Sequence, residues 1–127
     1  MISISRAFFC LVIFSVLASV SGCFYDKEEI LYPNNCDVSA VTYSVTVTNI
    51  LSASCYSCHN TANGPVNGSG IVFDTYAKLK PYATNGRLLG AINHAGGYSP
   101  MPKNMAQLSS CDIAKIQAWV TAGTPEN

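Results

Sequence analysis

Cys55-Tyr56-Ser57-Cys58-His59 is the stretch that decides how this 127-residue sequence folds. Two residues separate the thiols, and a histidine follows the second thiol directly. This C-x-x-C-H spacing is the attachment signature of c-type haem, because the thiols reach two vinyl groups on one edge of the porphyrin. The adjacent imidazole then lies under the ring, where it can ligate the iron. We therefore expect one covalently bound haem c at Cys55 and Cys58, with His59 as the proximal iron ligand.

Three other kinds of site also use a C-x-x-C pair. A thioredoxin-like redox pair follows a strand in an α/β unit, and the sequence has no such unit. A zinc site needs further ligands, and only Cys36, His94 and Cys111 remain, all distant in the sequence. A disulfide between the paired cysteines themselves would be strained. There is no second C-x-x-C-H, so we expect a single haem.

Haem iron in electron-transfer proteins usually has a second axial ligand, and three downstream residues are candidates. Met101 lies between Pro100 and Pro102, which fix the backbone in an extended, rigid form that suits a weak thioether ligand. Met105 lacks this framing, which favours a packing role. His94 would give a bis-histidine site, although a lone histidine is more often a surface residue or a propionate contact. We expect Met101 to be the distal ligand.

The size and charge of the chain exclude some classes of protein. Seven Lys and Arg residues balance seven Asp and Glu residues, and only 11% of the residues are charged. This balance excludes a nucleic-acid binder steered by net charge, and it excludes an acidic disordered tail. The length suits one domain, and no nucleic-acid partner is expected.

Residues 1–22 have the features of a bacterial lipoprotein signal peptide. Arg6 supplies the positive charge, and residues 7–20 form an apolar run that is too short to span a bilayer comfortably. The Val-Ser-Gly before Cys23 resembles a lipobox, which predicts lipidation of that cysteine. An ordinary signal peptide that ends near a cysteine is the alternative.

Residues 23–40 are expected to form the lipidated N-terminus and a polar tether, followed by a folded domain at residues 41–127. The Asp-Lys-Glu-Glu run at residues 26–29 suits a solvated linker. It also resembles the surface-export signal of Bacteroidetes lipoproteins. We expect a lipid-anchored protein of the bacterial cell envelope that faces the periplasm or the cell surface.

Residues 110–122 are predicted to form a helix. Ser109 or Ser110 is a good N-cap, and Gly123 and Pro125 are typical of a helix end. We expect the tryptophan of this helix to anchor the core. The apolar face of the helix consists of Ile113, Ile116, Trp119 and Val120.

Two patterns compete just before the cysteine pair. Residues 41–48 alternate between apolar and polar side chains and are rich in β-branched residues, which predicts a strand. The competing pattern predicts a helix, because the spacing of four apolar residues places them on one helical face: Tyr43, Val47, Ile50 and Leu51.

The middle of the chain is rich in turn-forming residues. Residues 60–70 carry three Gly, three Asn and one Pro, which predicts a loop. Residues 74–80 are predicted to form a short helix with Asp74 as its cap and Pro81 as its limit. Residues 86–94 are predicted to form another short helix.

The order of these features resembles a small class I cytochrome c, most closely the monohaem lipoprotein cytochromes of the Bacteroidetes. The resemblance covers about residue 41 to residue 127 and depends on C-x-x-C-H, on Ser-Pro-Met-Pro at residues 99–102, and on the final helix. It implies an all-α fold with three to four short helices and long loops around one haem. The family has a helix before the haem motif that crosses the C-terminal one, so we predict helix rather than strand for residues 41–51.

The resemblance also implies a function. Cys55 and Cys58 would carry the thioethers, with His59 proximal and Met101 distal. Such a protein is an electron carrier, not an enzyme, and passes single electrons between redox protein partners such as membrane respiratory complexes. The lipid on Cys23 would hold it at the bilayer. Two alternatives stay open: a haem-based ligand sensor or peroxidase-like protein with an open distal site, and a disulfide-stapled lipoprotein without haem.

Cys36 and Cys111 are the two cysteines left over in an exported chain, where paired cysteines are normal. One precedes the predicted N-terminal helix, and the other begins the C-terminal helix. If those helices pack together, a disulfide between the two cysteines is geometrically reasonable, and we predict it. Two unpaired thiols are the alternative.

Overall fold

The computed structural model describes residues 36–127, and every regular element in that range is helical. The prediction of an all-α domain is confirmed, with two single-turn helices in addition to four longer helical stretches. A π-helical segment, Tyr43–Val47, runs directly into the first α-helix. The α-helices are α1 Thr48–Ser54, α2 Tyr56–His59, α3 Gly64–Asn67, α4 Tyr76–Thr84, α5 Arg87–Ile92 and α6 Ser110–Thr121.

Several sequence predictions fall on residues before this range. The predicted signal peptide, the lipidation of Cys23 and the tether up to residue 35 lie outside the described residues. None of the helices described here is both long enough and apolar enough to cross a membrane.

One hydrophobic core lies among the described helices. Trp119 is fully buried, and its indole N–H donates to the carbonyl of Pro125 (2.9 Å), which satisfies its only polar atom. Tyr43 stacks on Trp119 with ring centroids 5.9 Å apart and meets Tyr76 edge-on at 5.1 Å. The predicted role of the tryptophan as a core anchor is confirmed. The other buried apolar side chains are Val47, Leu51, Phe73, Leu79, Ala83, Leu88, Ile92 and Ile116.

The segment before the cysteine pair is helical, which confirms the helix that we predicted from the family resemblance. The strand that the β-branched pattern favoured is not formed there. In a strand, Val45 and Val47 would share one face, but Val45 is 62% exposed and Val47 is fully buried. Leu51, one turn further along, is also fully buried. Burial of these side chains against the core outweighs the weak local preference for a strand.

This helix begins with a wide turn that is capped from the other end of the chain. The amide of Val47 donates to the carbonyl of Thr42, five residues back (3.0 Å). The first helical amides have no partner within the helix, so they need other acceptors. The amides of Tyr43 and Ser44 donate to the Oδ1 and the carbonyl oxygen of Asn127, each at 2.8 Å.

Helix α6 has the bounds that its sequence predicts, within one residue. The hydroxyl of Ser109 accepts a hydrogen bond from the amide of Asp112 (3.0 Å), so Ser109 is the N-cap. Ile116 and Trp119 are buried on the core side. After the helix, Gly123 adopts a positive φ of 89°, a conformation that favours glycine.

Helix α4 differs from its prediction at both ends. It begins at Tyr76 and continues to Thr84, and Pro81 lies inside it instead of ending it. The proline removes one backbone hydrogen bond, but Leu79 and Ala83 lie on either side of it and are both buried, which holds the helix together.

Asp74, which was predicted to cap this helix, has a different role. Its carboxylate accepts a hydrogen bond from the amide of Thr61 (2.6 Å) and pairs with Lys78 (3.2 Å). The side chain therefore ties the loop after the cysteine pair to the first turn of α4. These hydrogen bonds, with the nearby lysine charge, lower the pKa of Asp74.

Helix α5 is shorter than predicted. It follows Gly86, which has a φ of 81°, and ends at Ile92, two residues before His94. His94 itself adopts a positive φ of 53°, which histidine tolerates better than most residues and which cannot continue a right-handed helix. Leu88 and Ile92 face the core.

The predicted disulfide between Cys36 and Cys111 is present, with an S–S distance of 2.06 Å. It joins the start of the described chain to the first turn of α6. The chain between the two cysteines includes every other helix of residues 36–127. The bond therefore holds the C-terminal helix to the segment that leads into the N-terminal one.

Candidate functional site

The C-x-x-C-H motif lies at the junction of α1 and α2. Cys55 interrupts the helix, with φ −128° and ψ −39°. Its amide continues the α1 ladder to Leu51 (2.8 Å), and its carbonyl accepts from the amides of Cys58 (3.1 Å) and His59 (2.9 Å). The two thiols and the imidazole are thus carried by one tight backbone turn, so their relative positions are fixed by local structure.

The two thiols of the motif lie in different surroundings. Cys55 is half-buried and packs against the core, whereas Cys58 is exposed. Burial, and to a smaller extent the neighbouring Cys58, raises the pKa of Cys55 to about 11. Cys55 therefore stays a neutral thiol at physiological pH, and the two side chains form no disulfide with each other.

His59 is held by the backbone on the far side of the following loop. The side chain is 8% exposed, and its Nδ1 lies 3.0 Å from the carbonyl oxygen of Ile71. A carbonyl only accepts hydrogen bonds, so Nδ1 carries the proton and donates it. The lone pair of the neutral ring is then on Nε2, the atom available to a metal ion.

Phe73 fixes the plane of this imidazole. The two rings are stacked, with centroids 4.8 Å apart and an angle of 19° between their planes. The backbone reinforces the contact, because the amide of Phe73 donates to the carbonyl of His59 (3.0 Å). Phe73 belongs to the core, so the orientation of the histidine is linked to the packing of the whole domain.

Gly68 allows the loop to pass this close to the histidine. A Cβ at this position would lie 2.9 Å from Nδ1 of His59, 2.7 Å from the carbonyl oxygen of Cys58 and 2.8 Å from that of Ile71. Contacts this short are not found for real side chains, so only glycine fits. Neither Gly68 nor the Ile71 carbonyl was singled out from the sequence, because a backbone acceptor leaves no side-chain signal.

Met101, the predicted distal ligand, is fixed through both of its backbone polar groups. Its amide donates to the carbonyl of Ala91 in α5 (3.0 Å), and its carbonyl lies 3.0 Å from Nε2 of His94. The side chain is half-buried, and it is absent from the described hydrophobic side chains that pack on the core. Met105, the other methionine candidate, is 65% exposed.

The candidate site residues form two groups, one around His59 and one around Met101. Within residues 36–127 no hydrogen bond joins the two groups, although Phe73 and the α5 residue Ile92 share the core between them. No three Cys, His, Asp or Glu side chains of this range converge as a metal-binding cluster, so the fuller ligand set of a structural zinc site is not assembled there.

Comparison of the chain with protein-family models, with curated proteins and with solved structures gave no match. The geometry of His59, of the two thiols and of Met101 is therefore the basis for assigning a function.

Proposed function

We propose that this chain is a monohaem c-type cytochrome that carries single electrons in the bacterial cell envelope. The observation that carries the proposal is the position and hydrogen bonding of His59. It ends a C-x-x-C-H motif whose cysteines form no disulfide with each other, and its Nδ1–H is bound to the Ile71 carbonyl. An imidazole held this way presents Nε2 to a metal ion, which is what a proximal haem ligand requires.

The residues present fit a covalently held haem c. Cys55 and Cys58 would form the thioethers, His59 would ligate the iron through Nε2, and Met101 would supply the distal sulfur. When bound, the haem supplies a one-electron couple between ferrous and ferric iron. A domain of this size buries a modest fraction of its surface, so covalent attachment suits it better than enclosure of a free haem.

The chain's own residues would set the properties of the iron. The Ile71 carbonyl and Phe73 orient the imidazole, and the hydrogen bond to Nδ1 makes Nε2 a better donor. A thioether as the second ligand raises the reduction potential relative to a second histidine. The paired backbone contacts of Met101 suit a weak ligand that must be held in place.

The finer fold that we propose is that of a class I cytochrome c. Its support is the packing of the N-terminal helical stretch on α6 through Tyr43 and Trp119, with the motif directly after the first of these helices. The short helices α4 and α5 lie between the motif and Met101 in the chain.

We also propose where the protein works. The lipobox-like sequence before Cys23 supports a lipid anchor in the bilayer, with the domain in the periplasm or at the cell surface. Its partners would be redox proteins such as membrane respiratory complexes, and the protein itself would be a carrier rather than an enzyme. Nucleic acid is not among the proposed partners.

The test is an absorption spectrum of the full chain, produced together with cytochrome c maturation machinery. We expect covalent haem in the wild type, and a far-red band of thioether-ligated ferric iron that disappears in Met101→Leu. Met105→Leu is the matched control, because this exposed methionine should leave the band unchanged.

Two outcomes would overturn the electron-carrier assignment. Covalent haem that is high-spin and binds carbon monoxide in the wild type would indicate an open distal site, and with it a sensor or a peroxidase-like protein. If no haem attaches under conditions that mature a control cytochrome, a disulfide-stapled lipoprotein without haem replaces the proposal.

A further inference from the structure

The loop that carries Met101 folds back onto the C-terminal end of α5. The amide of His94 donates to the carbonyl of Ala91 (3.2 Å), and the amide of Ala95 donates to that of Gly90 (2.9 Å). The amide of Met101 then returns to the same Ala91 carbonyl (3.0 Å). The loop therefore starts and ends on one helical turn.

A side-chain contact fixes the middle of this loop. The ring of Tyr98 lies directly on Gly90, where an added Cβ would approach ring atoms to 2.5–2.6 Å. Gly90 is buried under this ring, so the loop covers α5 at a point that admits no larger residue. This contact is independent of the hydrogen bonds at the two ends of the loop.

The last restraint is the side chain of His94. Its Nε2 lies 3.0 Å from the Met101 carbonyl oxygen, and because a carbonyl only accepts, this nitrogen must carry a proton and donate. While it does so, Nε2 has no lone pair for a metal ion, and the lone pair of the neutral ring lies on Nδ1. Through Nε2, His94 therefore acts on the backbone of Met101.

We propose that His94 is a positioning residue, which holds the Met101 backbone so that the thioether is presented to the haem iron. The inference rests on the proposed function, because it concerns Met101 as the distal ligand. A thioether binds iron weakly, so its binding depends on how much backbone freedom is already lost before ligation. With the Met101 amide bound to Ala91 and its carbonyl bound to His94, most of that freedom is lost in the fold itself.

The test compares substitutions that differ in the hydrogen-bond donor. His94→Phe keeps a ring of similar size but has no donor, whereas His94→Gln restores an N–H of similar reach. Phenylalanine and glutamine both tolerate the positive φ at this position less well than histidine does, so the difference between the two variants isolates the donor. Gln107→Leu is the matched control, because Gln107 donates to the neighbouring carbonyl of Ile92 (2.9 Å) and not to Met101.

Two quantities are measured on the mature full-length protein. The first is the affinity of the ferric form for added imidazole, which competes with Met101 for the iron. We expect about fivefold tighter imidazole binding in His94→Phe, the effect of one typical hydrogen bond, and near wild-type binding in His94→Gln and in Gln107→Leu. The second is hydrogen exchange of the Met101 amide, which should be faster in His94→Phe alone.

The absorption spectrum of the wild type distinguishes failure of this inference from failure of the proposed function. A wild-type protein without the far-red thioether band overturns the assignment of Met101 and, with it, the positioning role. If the wild type has the band and His94→Phe changes neither imidazole affinity nor exchange, only the role of His94 is overturned. Faster exchange with unchanged imidazole affinity also overturns it, because the histidine would then stabilise the loop without affecting ligation.

Discussion

At the scale of single residues, His59 connects the C-x-x-C-H turn to the segment at residues 68–73. Its ring is bound by the Ile71 carbonyl and stacked on Phe73, and Gly68 makes room for both contacts. The motif itself was evident from the sequence. The residues that orient its histidine were not evident. Ile71 acts through its backbone carbonyl, Gly68 acts through the lack of a side chain, and Phe73 looks like any other aromatic core residue in the sequence.

Gly68→Ala tests this crowding. The added methyl would meet two carbonyl oxygens and Nδ1 of His59 at 2.7–2.9 Å, so we expect a loss of about 1–3 kcal/mol of stability, typical of overpacking. Thermal unfolding of the full chain measures it. Gly96→Ala is the control, because a Cβ there has no neighbour within 4 Å. Equal melting temperatures for the two variants would contradict the close approach that we describe.

Asp74 gives the stability of the domain a dependence on pH. The hydrogen bonds from Thr61, and secondarily Lys78, lower its pKa in the folded state below the ordinary value of 3.8. A carboxylate with a lowered pKa stabilises the fold at pH values above the ordinary value and loses that contribution as pH falls towards the lowered one. We therefore expect the advantage of wild type over Asp74→Asn to be present at neutral pH and to vanish in acid. Melting temperatures recorded from neutral pH to about pH 2 measure this, and a difference that is constant with pH would contradict it.

At the scale of elements, the sequence predicted best where local and tertiary signals agree. Helix α6 has a serine cap, an apolar face and a glycine end, and its bounds were predicted within one residue. The N-terminal helix was ambiguous, because its β-branched residues favour a strand while the buried pair Val47 and Leu51 favours the observed helix. Helix α4 was predicted too short, because the cost of Pro81 is local and the burial of Leu79 and Ala83 around it is not visible in the sequence.

Pro81→Ala tests how much this interior proline costs. Pro81 is exposed and lies in the sixth position of α4, so alanine loses little packing and restores a backbone donor. Replacing the proline also raises the conformational entropy of the unfolded chain, which offsets part of the stability gained from the new hydrogen bond. We therefore expect a net stabilisation of about 1–2 kcal/mol. Pro65→Ala in the first turn of α3 is the control, because a proline there removes no helical hydrogen bond. In thermal unfolding, a decrease in stability for Pro81→Ala would show that the ring is needed to set the path of α4.

At the scale of the whole domain, the two terminal helical stretches are joined in three ways. Tyr43 packs on Trp119, and Asn127 accepts hydrogen bonds from the first helical amides. The Cys36–Cys111 disulfide links the segment before the first stretch to the first turn of α6. All three contacts lie among the ends of the described chain and not in the C-x-x-C-H turn. We therefore expect these terminal contacts to stabilise the domain without setting the geometry of the proposed haem site.

Replacing both Cys36 and Cys111 with serine tests that separation. The disulfide closes a loop with a sequence separation of 75, so its loss should cost about 4 kcal/mol in the chain-entropy model and lower the melting temperature strongly. Both cysteines are changed together so that no single thiol is left to pair with Cys55 or Cys58. The haem spectrum of the folded variant should match that of the wild type, because His59 and Met101 keep their own contacts. An unchanged melting temperature would mean that the disulfide contributes nothing to stability. A lowered melting temperature with a changed spectrum would mean that the terminal helices also control the haem ligands, and the two properties would then be coupled.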